Sequence, residues 1–359
     1  MLVQEFIAKP IDAIADSGRF TWTAPSNIAL IKYWGKKPNQ IPANPSISFT
    51  LDHCNTQTTL EFSKKADTDD FSFEVIFEGQ PNEDFKPKIM TFLKRIHDYV
   101  PYLSQYHLRI DTFNTFPHSS GIASSASGMS ALALCIMSIE KELNPEMDDH
   151  YFYRKASFLA RLGSGSACRS IEGELIVWGT HQHIEGSSDL YGIRYPYDIH
   201  ENFKNYQDTI LLVDKGEKQV SSSVGHNLMH DHPFAEQRFK QAHEHMTAMI
   251  DILKSGDLNA FIKLVEREAL TLHSMMMTSN PYYILMKPNT LKIIDSIWAF
   301  RKKTGMHLCF TLDAGANVHL LYPDRESKAC LRFIEDELVQ FCKNGEYIKD
   351  SLGQGAKEL

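Results

Sequence analysis

The sequence predicts an α+β protein, because strand-like and helix-like stretches mix along the chain without the strict alternation of a doubly wound parallel sheet. At 359 residues and 43% hydrophobic, the chain can bury a sizeable core split over two domains. A small-residue loop at 116–132, FPHSSGIASSASGMSAL, runs directly into a helix. There Ala126, Met129, Leu132, Ile136, Ile139 and Leu143 recur at steps of three and four, as on one helix face.

Residues 19–33 read as a strand that turns into a special loop, RFTWTAP and then SNIALIKYWGKK. Residues 46–51, 56–63 and 71–77 alternate like strands, the first ending near Asp52. A helix is predicted over 87–99, stopping before Pro101, and a strand over 107–114 leads into the serine loop. The helix after that loop ends near Asn144-Pro145 and a second covers 149–162. GSGSACRS (163–170) follows, then a strand at 174–181. Between 186 and 199 the composition turns to Gly, Ser, Asp, Tyr and Pro, which marks the domain boundary. Beyond it come a strand at 209–214 and helices at 234–254, 257–276 and 289–303. Strands in HLCFTLDAG and HLLYP precede a last helix from about 326 to 343.

Composition narrows the function classes. The net charge of -8, with no block rich in lysine and arginine, argues against nucleic acid as partner. No apolar run approaches membrane-spanning length, and the N-terminus lacks the basic start and long apolar core of a signal peptide. The six cysteines are scattered without a CxxC pair and read as reduced, mostly buried thiols of a cytoplasmic protein.

Four stretches have the residue types for chemistry. APSNIALIKYWGKK (24–37) gathers Lys32, Lys36 and Lys37 with Tyr33 and Trp34, which suits an anionic ligand, although a solvated lysine edge has the same look. In the serine loop, backbone N–H groups and the positive helix end converge where phosphate binds, with Gly121 and Gly128 allowing close approach. A plain helix cap is the alternative. GSGSACRS is a second candidate anion pocket, in which Arg169 can grip a carboxylate or phosphate with two prongs; otherwise it is a capping turn. It is no Walker A loop. In TLDAGAN (311–317) an aspartate, Asp313, follows an apolar strand, as a general base would or as an ordinary turn aspartate does. The near-spaced pairs among His181, His183, His226, His230, His232, His243 and His245 read as surface histidines rather than a metal site. Met275-Met276-Met277 reads as core filler.

In this order the four stretches resemble the GHMP kinase superfamily, and within it the diphosphomevalonate decarboxylases. NPSISFTL (44–51), KQVSSSVG (218–225), LTLHSMMMTS (270–279) and TLDAGANVHLLY (311–322) extend the resemblance over most of the chain. It implies an N-terminal ribosomal protein S5 domain 2-like domain over 1–190 and a C-terminal ferredoxin-like domain over 191–359, with ATP and substrate between them. It implies ATP-dependent decarboxylation of mevalonate 5-diphosphate to isopentenyl diphosphate, ADP, phosphate and carbon dioxide. Asp313, Lys32 and Arg169 are the catalytic residues on this resemblance. Asn27, Tyr33, Lys36, Ser164, Ser166, Arg169 and Ser222 would bind substrate, and Ser124, Ser125, Ser127 and Gly128 the phosphates of ATP. Magnesium follows from the nucleotide, with no protein ligands assigned, and a homodimer is implied. The alternatives are a decarboxylase of mevalonate 5-phosphate or of a bisphosphate, a mevalonate-type kinase, or a binding protein on the same scaffold.

The chain departs from the family pattern at Pro45, at His118-Ser119-Ser120, at Ala316 and in the looser LTLHS. The arginine that many members direct at the diphosphate has no clear counterpart; Lys86, Lys88 and Arg95 are the candidates.

Overall fold

The computed structural model describes residues 3–9, 15–66, 70–117, 122–214 and 222–359, with Ser222 and Ser223 described by backbone alone. The chain enters an eight-stranded mixed sheet through β1 (Ser17–Ile31). A small two-stranded ribbon, β2 (Lys36–Lys37) and β3 (Ile41–Pro42), follows. The chain then returns antiparallel to β1 as β4 (Ser46–Lys64). The two strands predicted at 46–51 and 56–63 are therefore one. The turn-like residues between them form an irregularity inside it: Pro25 pairs with Asn55 but Asn27 with Thr50, which leaves 51–54 outside the ladder. Such bulges bend a strand without ending it.

Next come β5 (Ser72–Phe77), β6 (Gln80–Pro81), α1 (Lys86–Ile96), β7 (Tyr106–Asn114), α2 (Ser124–Leu143) and α3 (Asp149–Gly163). Then β8 (Leu175–Trp178) and β9 (Ile193–Arg194) extend the sheet from β4. The three helices bury one face of it. Trp22, Leu60, Phe62 and Ile110 from the strands meet Phe92, Leu132, Ile136 and Phe158 in one apolar cluster. Almost all of α2 is buried, since it lies between the sheet and α3. Asp148 caps α3 by accepting the Tyr151 N–H at 2.7 Å.

The second half begins with β10 (Gln207–Leu211) and α4 (Ser222–Asn227), and continues through α5 (Ala235–Ser255), α6 (Leu258–Met277) and α7 (Pro288–Thr304). It then adds β11 (Cys309–Thr311), β12 (Val318–Tyr322), α8 (Ser327–Phe333), β13 (Tyr347–Ser351) and β14 (Lys357–Glu358). An antiparallel sheet in the order β11-β12-β10-β13 carries this half, while β14 pairs with β1 of the large sheet. The predicted last helix is shorter than expected. After α8 the backbone widens into a π turn at Ile334–Leu338 and tightens into a 3₁₀ turn at Val339–Phe341. Across it Ile334 and Leu338, four residues apart on one face, are buried while Glu335, Asp336 and Glu337 face water.

The halves share a core. Ile28 and Leu30 of β1 and Phe49 and Leu51 of β4 pack with Met246, Met249, Phe261 and Val265 of α5 and α6. All six cysteines are buried and free. Among the described residues no helix is long and apolar enough to cross a membrane.

Asp350 of β13 joins the two sheets. Its carboxylate accepts the backbone N–H groups of Asp52 and His53 at 2.9 Å and of Cys54 at 2.8 Å, satisfying the part of β4 that left its ladder. Removing a carboxylate that satisfies several donors leaves them unpaired. Asp350→Ala is therefore expected to lower unfolding free energy by about 2 kcal/mol or more in urea denaturation. A loss below about 0.5 kcal/mol, within the range of ordinary surface changes, would contradict this role.

Candidate active site

Lys32 follows directly on the end of β1, after a second shift in the pairing register between Ala29 and Ile31. Its backbone is gripped by two residues from the other half of the molecule and one from its own. The Lys32 N–H donates to Glu268 Oε2 at 2.9 Å, and the Lys32 carbonyl accepts from Arg238 at 3.0 Å and from Asn44 Nδ2 at 2.9 Å. Glu268 and Arg238, both on long helices, are fully buried and paired with each other at 2.6 Å; His245 also bonds Glu268. The Lys32 side chain is 2% exposed and its Nζ lies 3.1 Å from Asp313 Oδ1. Burial lowers the lysine pKa, and the Asp313 carboxylate opposes that fall. Asp313 sits in the turn after β11, where its carbonyl accepts from His273 Nε2 at 3.2 Å and from the Gly315 N–H at 2.7 Å.

Arg169 ends the 3₁₀ turn Gly165–Arg169 and is 3% exposed. Ser46 and Ser48, two residues apart and so on one face of β4, hold its guanidinium. Arg169 Nη1 donates to Ser46 Oγ at 2.8 Å and Nε to Ser48 Oγ, with the Trp178 ring 5.7 Å away. Asn27 donates to Ser170 Oγ at 2.7 Å and to the Ser166 carbonyl at 3.3 Å, tying β1 to the same turn.

The serine loop becomes the start of α2. Ala123 takes the left-handed conformation (φ 42°), and the helix begins at Ser124. The first turn of this 20-residue helix thus lies at the cleft, where Ser124 and Ser125 line it, and brings the positive end of the helix dipole there. Ser125 Oγ lies 3.4 Å from Ser164 Oγ, so the two small-residue turns meet. Ser127 is placed differently. It is fully buried, 2.6 Å from Thr56 Oγ1 and bonded to the Ser124 carbonyl, and is not among the residues lining the cleft. His118, Ser119, Ser120 and Gly121 lie outside the described residues, as does the Ser222 side chain.

These elements enclose a cavity of about 360 Å³. Asn27, Lys32, Tyr33, Lys36, Ser124, Ser125, Ser164, Ser166, Arg169 and Asp313 all line it, so the structure brings together most of the residues singled out by sequence. Asp313 is the one acid among the described lining residues, against Lys32, Lys36, Lys88 and Arg169. Of the three basic candidates in 86–95 only Lys88 reaches the cavity. Lys86 pairs with Glu83 at 2.8 Å, and Arg95 donates to the Leu162 carbonyl at 2.9 Å. Lys37 is exposed. Burial pushes the Tyr33 phenol up, which keeps it a hydrogen-bond donor. Gly165 must lack a side chain, because a Cβ there would stand 2.8 Å from the Tyr33 hydroxyl. An adjoining cavity of about 110 Å³ shares Phe85, Lys88, Ser124 and Ser125 and is otherwise lined mainly by apolar groups such as Ile89, Met129 and Leu132, with Gly128 at its edge.

Sequence reasoning missed several of these groups. Ser46 and Ser48 look like ordinary strand residues, and nothing local marks Glu268 or Arg238 as partners of Lys32. The surface reading of the histidines needs correction. His181, His226 and His232 are buried, and His226 lines the main cavity. Of the methionine run, Met275 and Met276 are core but Met277 is exposed.

Comparison with known proteins settles the family. Residues 24–190 match the diphosphomevalonate decarboxylase-like N-terminal domain, and residues 209–356 match the mevalonate 5-diphosphate decarboxylase C-terminal domain. The chain belongs to the diphosphomevalonate decarboxylase family. The decarboxylase of Ganoderma lucidum is 28% identical over 351 residues, covering 93% of this chain and 84% of the relative. A structure of MDDEF in complex with MVAPP, AMPPCP and magnesium superposes with a TM-score of 0.80 at 28% identity, covering 96% of this chain and 99% of that one. The mevalonate diphosphate decarboxylase of Enterococcus faecalis gives 0.79 at 26% identity, with the same coverage. The mixed sheets and helices described above are accordingly those of the decarboxylase branch of the GHMP kinase fold. Among the described residues no group of three or more His, Cys, Asp or Glu is placed to hold a metal ion. Asp313 is the carboxylate that the described lining offers to a magnesium ion held with nucleotide phosphates.

Two buried rings flank this cavity, His226 in its lining and His273 on the Asp313 carbonyl. Burial, aided by Lys36 and Arg169, lowers the His226 pKa to about 3. Burial and Lys32 lower that of His273 to about 4, against the opposing pull of Asp313. Both rings are neutral in the folded protein where the unfolded chain binds protons, so their contribution is complete above about pH 6.5 and is lost as pH falls towards 4. Unfolding free energy is expected to drop across that window by up to about 1.4 kcal/mol per pH unit for each ring. Chemical denaturation of the wild type and of His273→Gln at several pH values checks this. An equal slope in both proteins would contradict the assignment to His273.

Proposed function

We propose that the protein converts mevalonate 5-diphosphate and ATP to isopentenyl diphosphate, ADP, phosphate and carbon dioxide, using the residues that meet in this cavity. The observation that carries the reading is the meeting of buried Lys32 and Arg169 with the half-buried Asp313 in one cavity, which Ser124 and Ser125 at the N-terminus of α2 also line. A tertiary alcohol is a weak nucleophile and hydroxide a poor leaving group, so the C3 oxygen must first be phosphorylated. Asp313 accepts or orients the C3 hydroxyl proton as that oxygen attacks the γ-phosphoryl group of ATP. Lys32, 3.1 Å from Asp313, pairs with the carboxylate and balances charge on the phosphoryl in flight. Magnesium, bound with the nucleotide, supplies further neutralisation of the phosphates.

The second step is loss of phosphate from C3 as the carboxylate collapses to carbon dioxide. Arg169, pinned by Ser46 and Ser48, holds that carboxylate and fixes the direction of the breaking bond. Asn27 stands near the reacting centre. Tyr33, Lys36, Ser164 and Ser166 take the substrate diphosphate, with Lys88 in the place of the unassigned arginine and Ser222 on the substrate side. The ATP phosphates lie on the first turn of α2, at Ser124 and Ser125, where the helix N-terminus favours anions. Ser127 supports that turn from behind through Thr56, and Gly128, on the ATP side of this reading, lines the adjoining apolar cavity. The division into domains at 1–190 and 191–359 belongs to this reading. Six buried free thiols fit a reducing compartment, the cytoplasm.

Asp313→Asn keeps the shape of the site but removes the proton acceptor. Its turnover is expected to fall by about 10²–10⁴-fold, with ADP affinity changed less than about twofold. Steady-state product release and nucleotide titration measure the two quantities. Near-normal turnover would remove Asp313 from the mechanism.

A further inference from the structure

His226 stands inside the main cavity, on α4, in an environment built around its ring. Its Nδ1 accepts the Gly35 backbone N–H at 3.0 Å, which places the ring proton on Nε2. The imidazole is 8% exposed, 4.2 Å from the Tyr33 ring and 4.6 Å from the Trp34 ring between centroids. Gly225 fixes the approach of this turn, since a Cβ there would stand 2.5 Å from Trp34. Nε2 has no hydrogen-bond partner among the described residues, so a nine-tenths buried donor is left for whatever occupies the cavity. Burial and the neighbouring charges of Lys36 and Arg169 keep the ring neutral at any working pH. It therefore adds direction rather than charge to the cationic side of the cavity.

We infer that His226 is a substrate-binding residue whose Nε2–H donates to an oxygen of the substrate's diphosphate group, beside Tyr33 and Lys36. The inference rests on the reading of the substrate as a diphosphate ester. A fixed neutral donor beside a lysine selects a phosphate chain that reaches both groups, and so contributes to discrimination between the 5-diphosphate and the 5-phosphate.

The test is calorimetric titration of the wild type, His226→Leu and His226→Gln with inorganic diphosphate, and separately with ADP, alongside thermal melts. A hydrogen bond to a charged group corresponds to about tenfold or more in affinity. His226→Leu is expected to bind inorganic diphosphate at least about tenfold more weakly, with ADP binding and Tm unchanged, and His226→Gln to recover most of the loss. Equal diphosphate binding by wild type and His226→Leu, including binding by neither, overturns the inference. So does a parallel loss of ADP affinity and Tm in both variants, which marks mere structural support. If diphosphate binding depends on His226 while the wild type releases no carbon dioxide from mevalonate 5-diphosphate and ATP, the functional reading fails and the anion site stands.

Discussion

The placement of Lys32 depends on one buried carboxylate. Glu268 accepts the Lys32 backbone N–H and is itself neutralised by Arg238, which donates to it from both Nη1 and Nη2 and from Nη2 also to the Lys32 carbonyl. A charge buried this completely is costly unless fully paired, and removing one member of such a pair typically costs about 3–5 kcal/mol. The network therefore acts as a clamp between α5, α6 and the end of β1. It fixes the lysine peptide in one position while the Nζ remains available to Asp313, which arrives on a separate turn after β11. Geometry of this kind is needed where a proton acceptor and a phosphoryl group must meet within hydrogen-bond reach.

Around that clamp the fold concentrates positive charge inside an acidic protein. The chain carries -8 overall, yet the described lining of the main cavity offers four cations and one acid. Low-dielectric walls make such a local excess effective for a polyanionic ligand. The net charge of the whole chain says nothing about the charge inside a small cavity. The first turn of α2 adds backbone donors without further lysines. Its position follows from the left-handed Ala123 and from the Ser26 hydroxyl, which donates to the Ile122 carbonyl at 2.7 Å.

Much of this was legible in the sequence where short-range chemistry decides it. Lys32, the serine turn, Arg169 and Asp313 each sit in a stretch with an unusual local composition, and their order along the chain carries the family resemblance. The apolar steps of α2 and the alternation of β5 likewise follow from neighbours three, four or two residues apart. What was not legible depends on distant partners. The irregularity at 51–54 reads as a strand end until Asp350, almost 300 residues later, supplies its hydrogen bonds. Ser46 and Ser48 acquire a role only when Arg169 is laid over them. His226 reads as a surface histidine because its cover comes from Tyr33 and Trp34, near the other end of the chain. Ser127 shares its local pattern with Ser124 and Ser125, and only the three-dimensional packing against Thr56 turns it inward.

The central claim is that one site couples phosphoryl transfer to loss of the carboxylate. The most direct measurement supplies purified protein, ATP and magnesium with mevalonate, its 5-phosphate or its 5-diphosphate, and follows ADP and carbon dioxide together. Equal release of both products with the 5-diphosphate, and neither with the other two, is the predicted result. ADP released without carbon dioxide would contradict the account, because it would leave Arg169 holding a carboxylate that never departs.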